Sequence, residues 1–340
     1  MAKTNKIGLS KSEYKGAPTT LCQGCGHNSI LSQIIAACYE MDMMPEDIVK
    51  FSGIGCSSKA PTYMLDRSFG FNGLHGRMPA LATGALIGDP TLTGLAMSGD
   101  GDSISIGMGQ FKHVIRRNVP MVYIIANNGT YGLTKGQLSA TSEVGLTLKK
   151  QGTNELVPID VCFEAMASNA TFVARSFAGD PKQVKTLIKA ALHHNGTAIL
   201  DIISPCVTFN NQDSSVHSYG WGREHNTAIH DLSFIPARDE IMLEDFEEGT
   251  TQNVPMHDGS SVRLKKLDRD YDPTNRMAAV QIIEESNADN LLLTGLIYID
   301  PDRPSLIDLL NMTEEPINRL KDEDLRPTAE TLAEINAEMF

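Results

Sequence analysis

The sequence predicts an α/β fold in which a parallel β-sheet is flanked by helices. Short apolar runs rich in β-branched residues alternate with longer amphipathic segments over roughly the first 230 residues. Such runs are typical of parallel strands buried on both faces, and the amphipathic segments fit the helices that connect them. Two of the runs end in glycine-rich loops, which is where open parallel sheets bind ligands.

Five strands and four helices are predicted in this part of the chain. The strands are IVKFS (48–52), GLAMS (94–98), MVYIIA (121–126), TFVAR (171–175) and AILDII (198–203). The helices, which alternate with the strands, are the segments 29–41, 79–88, 103–117 and 180–195. We therefore interpret residues 1–230 as one domain.

Residues 231–340 are predicted to form a C-terminal extension that contacts a partner. It begins with a polar, turn-rich stretch, continues with a helix (276–286) and a buried strand (290–300), and ends in an acidic, partly helical tail. No internal repeat interrupts either part.

Composition and charge exclude several classes of protein. Hydrophobic residues make up 41% of the chain and charged residues 21%, as in ordinary globular proteins. The net charge of -13 argues against nucleic acid as a ligand. The sequence contains neither the apolar core of a signal peptide nor a run long enough to span a membrane, so a cytoplasmic location is expected.

Two loops predict a site for magnesium and phosphate. The first, AMSGDGDSISIG (96–107), offers the carboxylate of Asp100 between two glycines. The second, IIANNGTYGLTKGQ (124–137), offers the side-chain carbonyl of Asn128 and the backbone carbonyl of Thr130. Hard oxygen ligands of this kind suit Mg²⁺.

One helix and one strand separate these loops, so both should emerge at the carboxyl edge of adjacent parallel strands. The helix beginning near Ser103 would direct its amide-rich end towards the same place, which favours phosphate. The alternative is that GDG and NNG only form turns.

Cysteine usage points to metal or redox chemistry. Cys22 and Cys25 form a Cys-x-x-Cys pair in LCQGCGHNSI (21–30). In a reducing compartment such a pair is more typical of a metal or redox site than of a structural disulfide.

Several motifs together resemble a known family. GDG followed by NN at this spacing resembles the thiamine diphosphate fingerprint. CQGCG, GIGCSSK, HGRMPALATG and NNGTYGLTKGQ, in this order, are similar to the β subunits of 2-oxoacid:ferredoxin oxidoreductases over roughly residues 15 to 230. The resemblance implies the diphosphate-binding type of thiamine fold.

The resemblance also implies residue roles at the cofactor. Asp100, Asn128 and the Thr130 carbonyl are expected on Mg²⁺. The cofactor is expected to contact His27, Ile54, Gly55, Cys56, Ser57, Gly101, Asp102, Gly132 and Leu133. For His27 the alternative is a helix cap or a solvated side chain.

Three further residues are catalytic candidates. His75 and Arg77 in LHGRMPA are expected to line the active site, the alternative being a loop histidine and a surface arginine. In the resembled family, LTKGQ accompanies enzymes that accept 2-oxoglutarate. Lys135 is therefore expected about one helical turn beyond the diphosphate site, where its ammonium would pair with a distal carboxylate, unless it is a solvated surface lysine.

The family holds a four-iron, four-sulfur cluster beside the thiamine. The resemblance places its ligands at Cys22, Cys25, Cys56 and Cys206. Four cysteines also suit structural zinc, so the ligand types alone leave both open. Cys38 and Cys162 lack a glycine-rich setting and are expected in the core.

The implied activity is the CoA-dependent oxidative decarboxylation of a 2-oxoacid, with 2-oxoglutarate as the expected substrate and ferredoxin as electron acceptor. The reverse direction would fix CO2, as in a reductive TCA cycle. An α (or fused αγ) subunit would supply the activating glutamate and much of the substrate and coenzyme A site, in a dimer of heterodimers. The alternatives are a non-oxidative thiamine-dependent decarboxylase with structural zinc and a non-catalytic iron–sulfur electron-transfer subunit.

Overall fold

The computed structural model describes residues 4–149, 151–212, 215–230, 251–255, 261–265, 271–313, 315–316 and 319–339. The strands among them are β1 (Ile48–Ser52), β2 (Phe69–Asn72), β3 (Thr93–Gly99), β4 (Met121–Asn127), β5 (Thr130–Tyr131), β6 (Gln137–Leu138), β7 (Thr147–Leu148), β8 (Gly152–Thr153), β9 (Phe172–Phe177), β10 (Thr197–Ile203), β11 (Asn226–Ala228), β12 (Thr251–Pro255), β13 (Ser261–Lys265) and β14 (Leu292–Ile299).

The α-helices in the same ranges are α1 (Gly26–Glu40), α2 (Ala60–Tyr63), α3 (Met78–Gly88), α4 (Met108–Arg117), α5 (Val161–Ala167), α6 (Pro181–His193), α7 (Tyr219–His225), α8 (Arg276–Ala288), α9 (Leu306–Leu309), α10 (Asp322–Leu325) and α11 (Ala329–Met339). None of these helices is both long and apolar enough to cross a membrane.

The predicted parallel sheet is confirmed. Eight strands form it in the order β11-β14-β9-β10-β4-β3-β1-β2. The six strands from β9 to β2 are mutually parallel. β14, which was predicted as a buried strand, pairs antiparallel with β9, and β11 pairs parallel with β14. The C-terminal part of the chain thus contributes a strand to the main sheet.

The central strands are buried on both faces. Leu95 and Met97 of β3 belong to one hydrophobic core, whereas Ala96 between them belongs to the other. Successive residues of a strand point to opposite faces, so this alternation requires cover on both sides. α1 and α6 cover the first face, and α3, α4, α5 and α8 cover the second.

The predicted helix at 103–117 differs from the structure at its start. A π-helical turn, Gly101–Ile106, follows β3, and α4 begins only at Met108. The amides near the end of β3 therefore belong to this turn and not to the first turn of an α-helix. π-helical turns are rare and are frequent at functional sites.

The remaining predictions concern the C-terminal part. The helix predicted at 276–286 is α8, and the helical part of the acidic tail is α11, whose described residues bury no side chain. The turn-rich stretch contributes the hairpin of β12 and β13. Residues 231–250, where the two proposed domains meet, lie outside the described residues.

Candidate active site

Two cavities lie side by side at the carboxyl ends of β1, β3 and β4. The first, which we call the Asp100 cavity, has a volume of about 90 Å³. It is lined by both glycine-rich loops, the segment after β1 and two histidines: His27, Ile54, Gly55, Cys56, Ser57, His75, Gly99, Asp100, Gly101, Asp102, Asn128, Thr130, Tyr131, Gly132, Leu133 and Thr134. Parallel strands bring these loops together because their carboxyl ends share one edge.

The carboxylate of Asp100 is buried at the base of the first cavity. Its Oδ2 atom accepts hydrogen bonds from the hydroxyls of Ser139 at 2.5 Å and Thr141 at 2.9 Å, and Oδ1 accepts one from the Asn128 amide at 3.2 Å. Burial raises the pKa of Asp100, and these hydrogen bonds oppose the shift. A bound cation would also favour the ionised carboxylate.

Asn128 and Thr130 complete the oxygen-rich side of the cavity. Both residues are buried, and the Asn128 Oδ1 atom accepts a hydrogen bond from the Thr130 amide at 3.1 Å. Together with Asp100 they place a carboxylate, an amide carbonyl and a backbone carbonyl around one cavity. This is the donor set predicted for Mg²⁺.

Ser57 carries an unsatisfied hydroxyl at this cavity. The residue is 1% exposed, and its Oγ atom has no hydrogen-bond partner among the described residues. A buried hydroxyl without a partner costs about 1–3 kcal/mol, so such groups usually await a ligand or water. Ser57 is one of the residues that line the Asp100 cavity.

His27 lies at the start of α1 and is 2% exposed. Its Nδ1 atom is 2.6 Å from Ser204 Oγ, and burial lowers the pKa of His27 to about 4. The imidazole is therefore neutral at physiological pH. It lines the Asp100 cavity as a neutral polar group and is not solvated.

The second cavity, which we call the thiol cavity, contains four of the six cysteines. Its volume is about 180 Å³, and Cys22, Cys25, Cys56 and Cys206 line it together with Lys59. Burial raises the pKa of the Cys25 thiol to about 11, and the neighbouring thiols of Cys206, Cys56 and Cys22 add to this effect. All six cysteines are free thiols.

Among the described residues, no three His, Cys, Asp or Glu side chains are grouped so that they could hold a single metal ion. A tetrahedral zinc site needs all its ligands within about 2.3 Å of one ion. The other two cysteines, Cys38 and Cys162, are fully buried in the two hydrophobic cores, as expected.

The two cavities share a wall. Cys56, Asn128, Gly132 and Leu133 line both of them. A group bound in the Asp100 cavity would therefore lie next to a group held by the thiols.

Asp102 also lines the Asp100 cavity, but its carboxylate is occupied. It accepts hydrogen bonds from two loop amides, from Ser98 Oγ and from His75 Nδ1. The expected contact between Asp102 and the diphosphate stays a prediction.

The three catalytic candidates occupy different positions. His75 is partly buried and lines the Asp100 cavity, whereas Arg77 is exposed at the N-terminal end of α3 and does not line it. Lys135 is exposed in the turn between β5 and β6, two residues after Leu133. The turn is not helical: Lys135 has a φ of 75°, in the left-handed region.

Sequence reasoning missed a buried polar network behind Asp100. Thr141 Oγ1 lies 2.9 Å from Asp100 Oδ2 and also 2.9 Å from Asn127 Oδ1. Asn127 donates to Asp201, which accepts from Arg175 on β9. The hydroxyls in LSATS (138–142) were the available signal, but serine and threonine near a turn rarely indicate function by themselves.

Two protein families match parts of the chain. The family described as "Thiamine pyrophosphate enzyme, C-terminal TPP binding domain" matches residues 53–202. A second family, which is the C-terminal part of the beta subunits of pyruvate ferredoxin oxidoreductase, matches residues 261–315.

Curated relatives and solved structures are also similar to the chain. A 2-oxoacid:ferredoxin oxidoreductase subunit beta from Sulfolobus sp is 39% identical over 65% of this chain and 70% of the relative. One from Saccharolobus solfataricus is 42% identical over 56% of this chain and 62% of the relative. The 2-oxoglutarate:ferredoxin oxidoreductase from Magnetococcus marinus, solved with 2-oxoglutarate, coenzyme A and succinyl-CoA bound, is 29% identical with a TM-score of 0.72. That match covers 96% of this chain and 100% of the other.

The parallel sheet, with its GDG and NNG loops at adjacent strand ends, and the match over residues 53–202 define a thiamine diphosphate-binding domain. More narrowly, this chain belongs to the family of 2-oxoacid:ferredoxin oxidoreductase β subunits.

Proposed function

We propose that this chain binds thiamine diphosphate with Mg²⁺ and one 4Fe–4S cluster, and that it serves in the reversible, CoA-dependent oxidative decarboxylation of 2-oxoglutarate. The observation that carries the proposal is the wall shared by the Asp100 cavity and the thiol cavity. A cofactor bound in the first cavity would lie next to a cluster held in the second.

The residues lining the Asp100 cavity suit the diphosphate and Mg²⁺ end of thiamine diphosphate. Asp100, Asn128 and the Thr130 carbonyl would hold the metal, and the unsatisfied hydroxyl of Ser57 would donate to a diphosphate oxygen. When bound, thiamine supplies the nucleophilic carbanion and the electron sink that decarboxylation requires. The protein orients it: neutral His27 and the apolar side chains of Ile54 and Leu133 form the other walls.

We assign a cluster and not zinc to the thiol cavity, because the chain belongs to a family of ferredoxin oxidoreductase subunits, whose electrons need a carrier. In a 4Fe–4S cluster each cysteine binds a different iron, so the four sulfurs surround a volume and need not meet at a point. Cys22, Cys25, Cys56 and Cys206, which together line the thiol cavity, would be the four ligands. Their thiols must be reduced to ligate iron, which favours a reducing compartment, and the cytoplasm stays our prediction.

The expected substrate is 2-oxoglutarate. The related enzyme from Magnetococcus marinus was solved with this compound bound. Lys135 is exposed and follows directly after Leu133 and Thr134, which line the Asp100 cavity, so its ammonium would reach the cavity mouth. There it would pair with the distal carboxylate, with His75 and Arg77 as further candidates for substrate contact.

The chain requires partners for this activity. An α subunit, or a fused αγ subunit, would supply the glutamate that activates the aminopyrimidine of thiamine and much of the coenzyme A site. We propose that the exposed parts of Ile54 and Leu133 at the cavity rim, together with residues 231–340, contact that subunit in a dimer of heterodimers.

Ferredoxin is the proposed electron acceptor. Ferredoxins are usually acidic, and so is this chain, so docking needs local positive charge. Lys59 lines the thiol cavity and supplies such a charge at the proposed cluster. The basic RLKKLDR segment (263–269), the other candidate, lies partly outside the described residues.

Co-expression with the α subunit under anaerobic conditions tests the proposal. The complex should contain about four irons per β chain and reduce ferredoxin only when 2-oxoglutarate and coenzyme A are both present. Serine at Cys22, Cys25, Cys56 or Cys206 should abolish the cluster absorbance, whereas Cys38→Ala and Cys162→Ala should retain it. A colourless complex with stoichiometric zinc would overturn the cluster assignment.

A further inference from the structure

Asp102 collects hydrogen bonds from four donors around one buried carboxylate. Oδ1 accepts the Ile54 amide at 3.0 Å, the Gly76 amide at 2.8 Å and His75 Nδ1 at 2.6 Å. Oδ2 accepts the hydroxyl of Ser98 at 2.6 Å. The Asp102 side chain is 1% exposed, so water does not compete for these bonds.

The donors come from three separate parts of the chain. Ser98 belongs to β3, Ile54 to the segment 53–57 after β1, and His75 and Gly76 to the segment 73–77 after β2. The first of these segments contains the thiol of Cys56, and the second contains the imidazole that lines the Asp100 cavity. One carboxylate thus joins two functional loops to the central sheet.

Gly53 leaves the space that this carboxylate occupies. A Cβ atom at Gly53 would lie 1.8 Å from Asp102 Oδ2 and 2.5 Å from Oδ1, distances that no side chain can adopt without displacing the carboxylate. The Asp102 carboxylate therefore keeps its position only while residue 53 is glycine. Its hydrogen bonds can be broken either by replacing Asp102 or by adding a side chain at Gly53.

The arrangement also sets the orientation of His75. Backbone amides can only donate, so Oδ1 is an acceptor for Ile54 and Gly76, and His75 donates to the same atom through Nδ1–H. The second ring nitrogen, Nε2, is then the one available to a molecule in the Asp100 cavity. A carboxylate behind a histidine fixes ring orientation and tautomer in this way in other sites.

We propose that Asp102 is a positioning residue, whose carboxylate holds the Cys56 segment and the His75 segment in one arrangement and presents His75 Nε2 to the Asp100 cavity. The use of Cys56 and His75 in catalysis rests on the proposed function. The positioning itself does not, because it concerns hydrogen bonds within the chain. The Asp102 carboxylate is expected to contribute strongly to the order of both segments, because its loss leaves their buried donors unsatisfied.

Hydrogen exchange measured by mass spectrometry on the αβ complex tests the positioning without using activity. In Asp102→Ala and in Gly53→Ala, peptides covering 53–57 and 73–77 should exchange at least about tenfold faster, while peptides of β4 and β10 keep their protection. Ser98→Ala is the matched control: it removes one donor from the same carboxylate but leaves both loop amides bonded, so the two loops should exchange as in the wild type.

Asp102→Asn provides a second variant in case the alanine variants do not fold. Asparagine keeps a neutral acceptor of the same shape. The exchange rates of the same two peptides should therefore increase, but by less than in Asp102→Ala. Asp102→Asn should also lower kcat more than it changes KM, because His75 loses its charged partner. Wild-type protection of both loops in Asp102→Asn and Gly53→Ala would overturn the proposal. If the wild-type complex proved inactive, the proposed function would fail while the exchange result still stood.

Discussion

The Sγ atom of Cys56 lies 3.5 Å from the position that a Cβ atom would take at Gly132, and Cys206 Sγ lies 3.7 Å from the same position. Gly132 lines both cavities. The wall between them is therefore thin because this residue has no side chain. A side chain here would compete with the groups that both cavities are proposed to bind.

Gly132→Val should lower the iron content of the αβ complex by more than half and weaken thiamine diphosphate binding about tenfold, or about 1.4 kcal/mol. The first added carbon meets only ordinary contacts, so the thermal midpoint of the cofactor-free complex should stay close to that of the wild type. Iron analysis, calorimetry and thermal unfolding provide the measurements.

Gly84→Val is the matched control for that variant. It introduces the same side chain where nothing lies within 4 Å of the new Cβ position, and it should leave iron content and cofactor affinity unchanged. Normal iron and cofactor binding in Gly132→Val would show that the space beside Cys56 is not used by either group.

Ser57→Ala should separate cofactor binding from stability. The Ser57 hydroxyl has no partner among the described residues, so its removal should keep or slightly raise the thermal midpoint of the cofactor-free complex. If it donates to a diphosphate oxygen, affinity for thiamine diphosphate should fall by about 1.5–3 kcal/mol, or more than about tenfold.

Ser103→Ala is the comparison. That hydroxyl is also buried but accepts from Tyr123 at 2.7 Å, so its loss should reduce stability more than cofactor affinity. Titration calorimetry and thermal unfolding distinguish the two variants. Equal cofactor affinity in Ser57→Ala and the wild type would remove Ser57 from the proposed site.

Stability should fall as the pH decreases through the window set by the buried histidines. Burial lowers the pKa of His217 to about 4, from 6.5 in an exposed chain. Between these values the unfolded chain binds more protons than the folded one, so the free energy of unfolding decreases as the pH falls, by up to about 1.4 kcal/mol per pH unit for this group.

His217→Gln should make that decline shallower. The pKa of His194 shifts in the same direction, so part of the decline should remain. The measurement is the thermal midpoint of wild-type and variant complexes at several pH values between about 6.5 and 4. Parallel curves for the two proteins would contradict a buried, neutral His217.

The sequence predicted the elements that carry strong local signals. β1 occupies the predicted residues 48–52, because its run of apolar residues is bounded by turns. The edge strand β2 was missed: FGFN is short, contains glycine and is exposed, so no burial pattern marks it. The antiparallel direction of β14 was not predicted either, because the direction in which a strand pairs depends on the path by which the chain returns to the sheet.

The candidate site was also predicted only where local motifs mark it. Motifs were sufficient to place Asp100, Asn128 and four cysteines around two cavities. They assigned Asp100 to Mg²⁺ and Asp102 to the cofactor, but they gave no sign that the Asp102 carboxylate binds other loops of the chain. Hydrogen bonds between residues distant in sequence, such as that of Asp102 with Ile54, are determined only by the tertiary structure.

Lys135 lies in a hairpin turn and not in a helical one, and this difference sharpens the test of its role. It lies in a hairpin turn with a left-handed backbone, which costs a lysine about 1 kcal/mol and glycine little. Lys135→Gly should therefore raise the thermal midpoint of the αβ complex. Because the charge of Lys135 is proposed to bind substrate, the same variant should lose activity.

The same variant should lose specificity for the dicarboxylic substrate. Pairing with the distal carboxylate of 2-oxoglutarate would contribute on the order of 2 kcal/mol, so Lys135→Gly should reduce kcat/KM for 2-oxoglutarate more than about tenfold, with little change for pyruvate. Lys135→Arg keeps the charge and should retain most of the preference. Both substrates are assayed by ferredoxin reduction with saturating coenzyme A. Equal losses for both would indicate damage to the neighbouring Leu133 and Thr134 wall, and a wild-type preference for pyruvate would refute the proposed substrate.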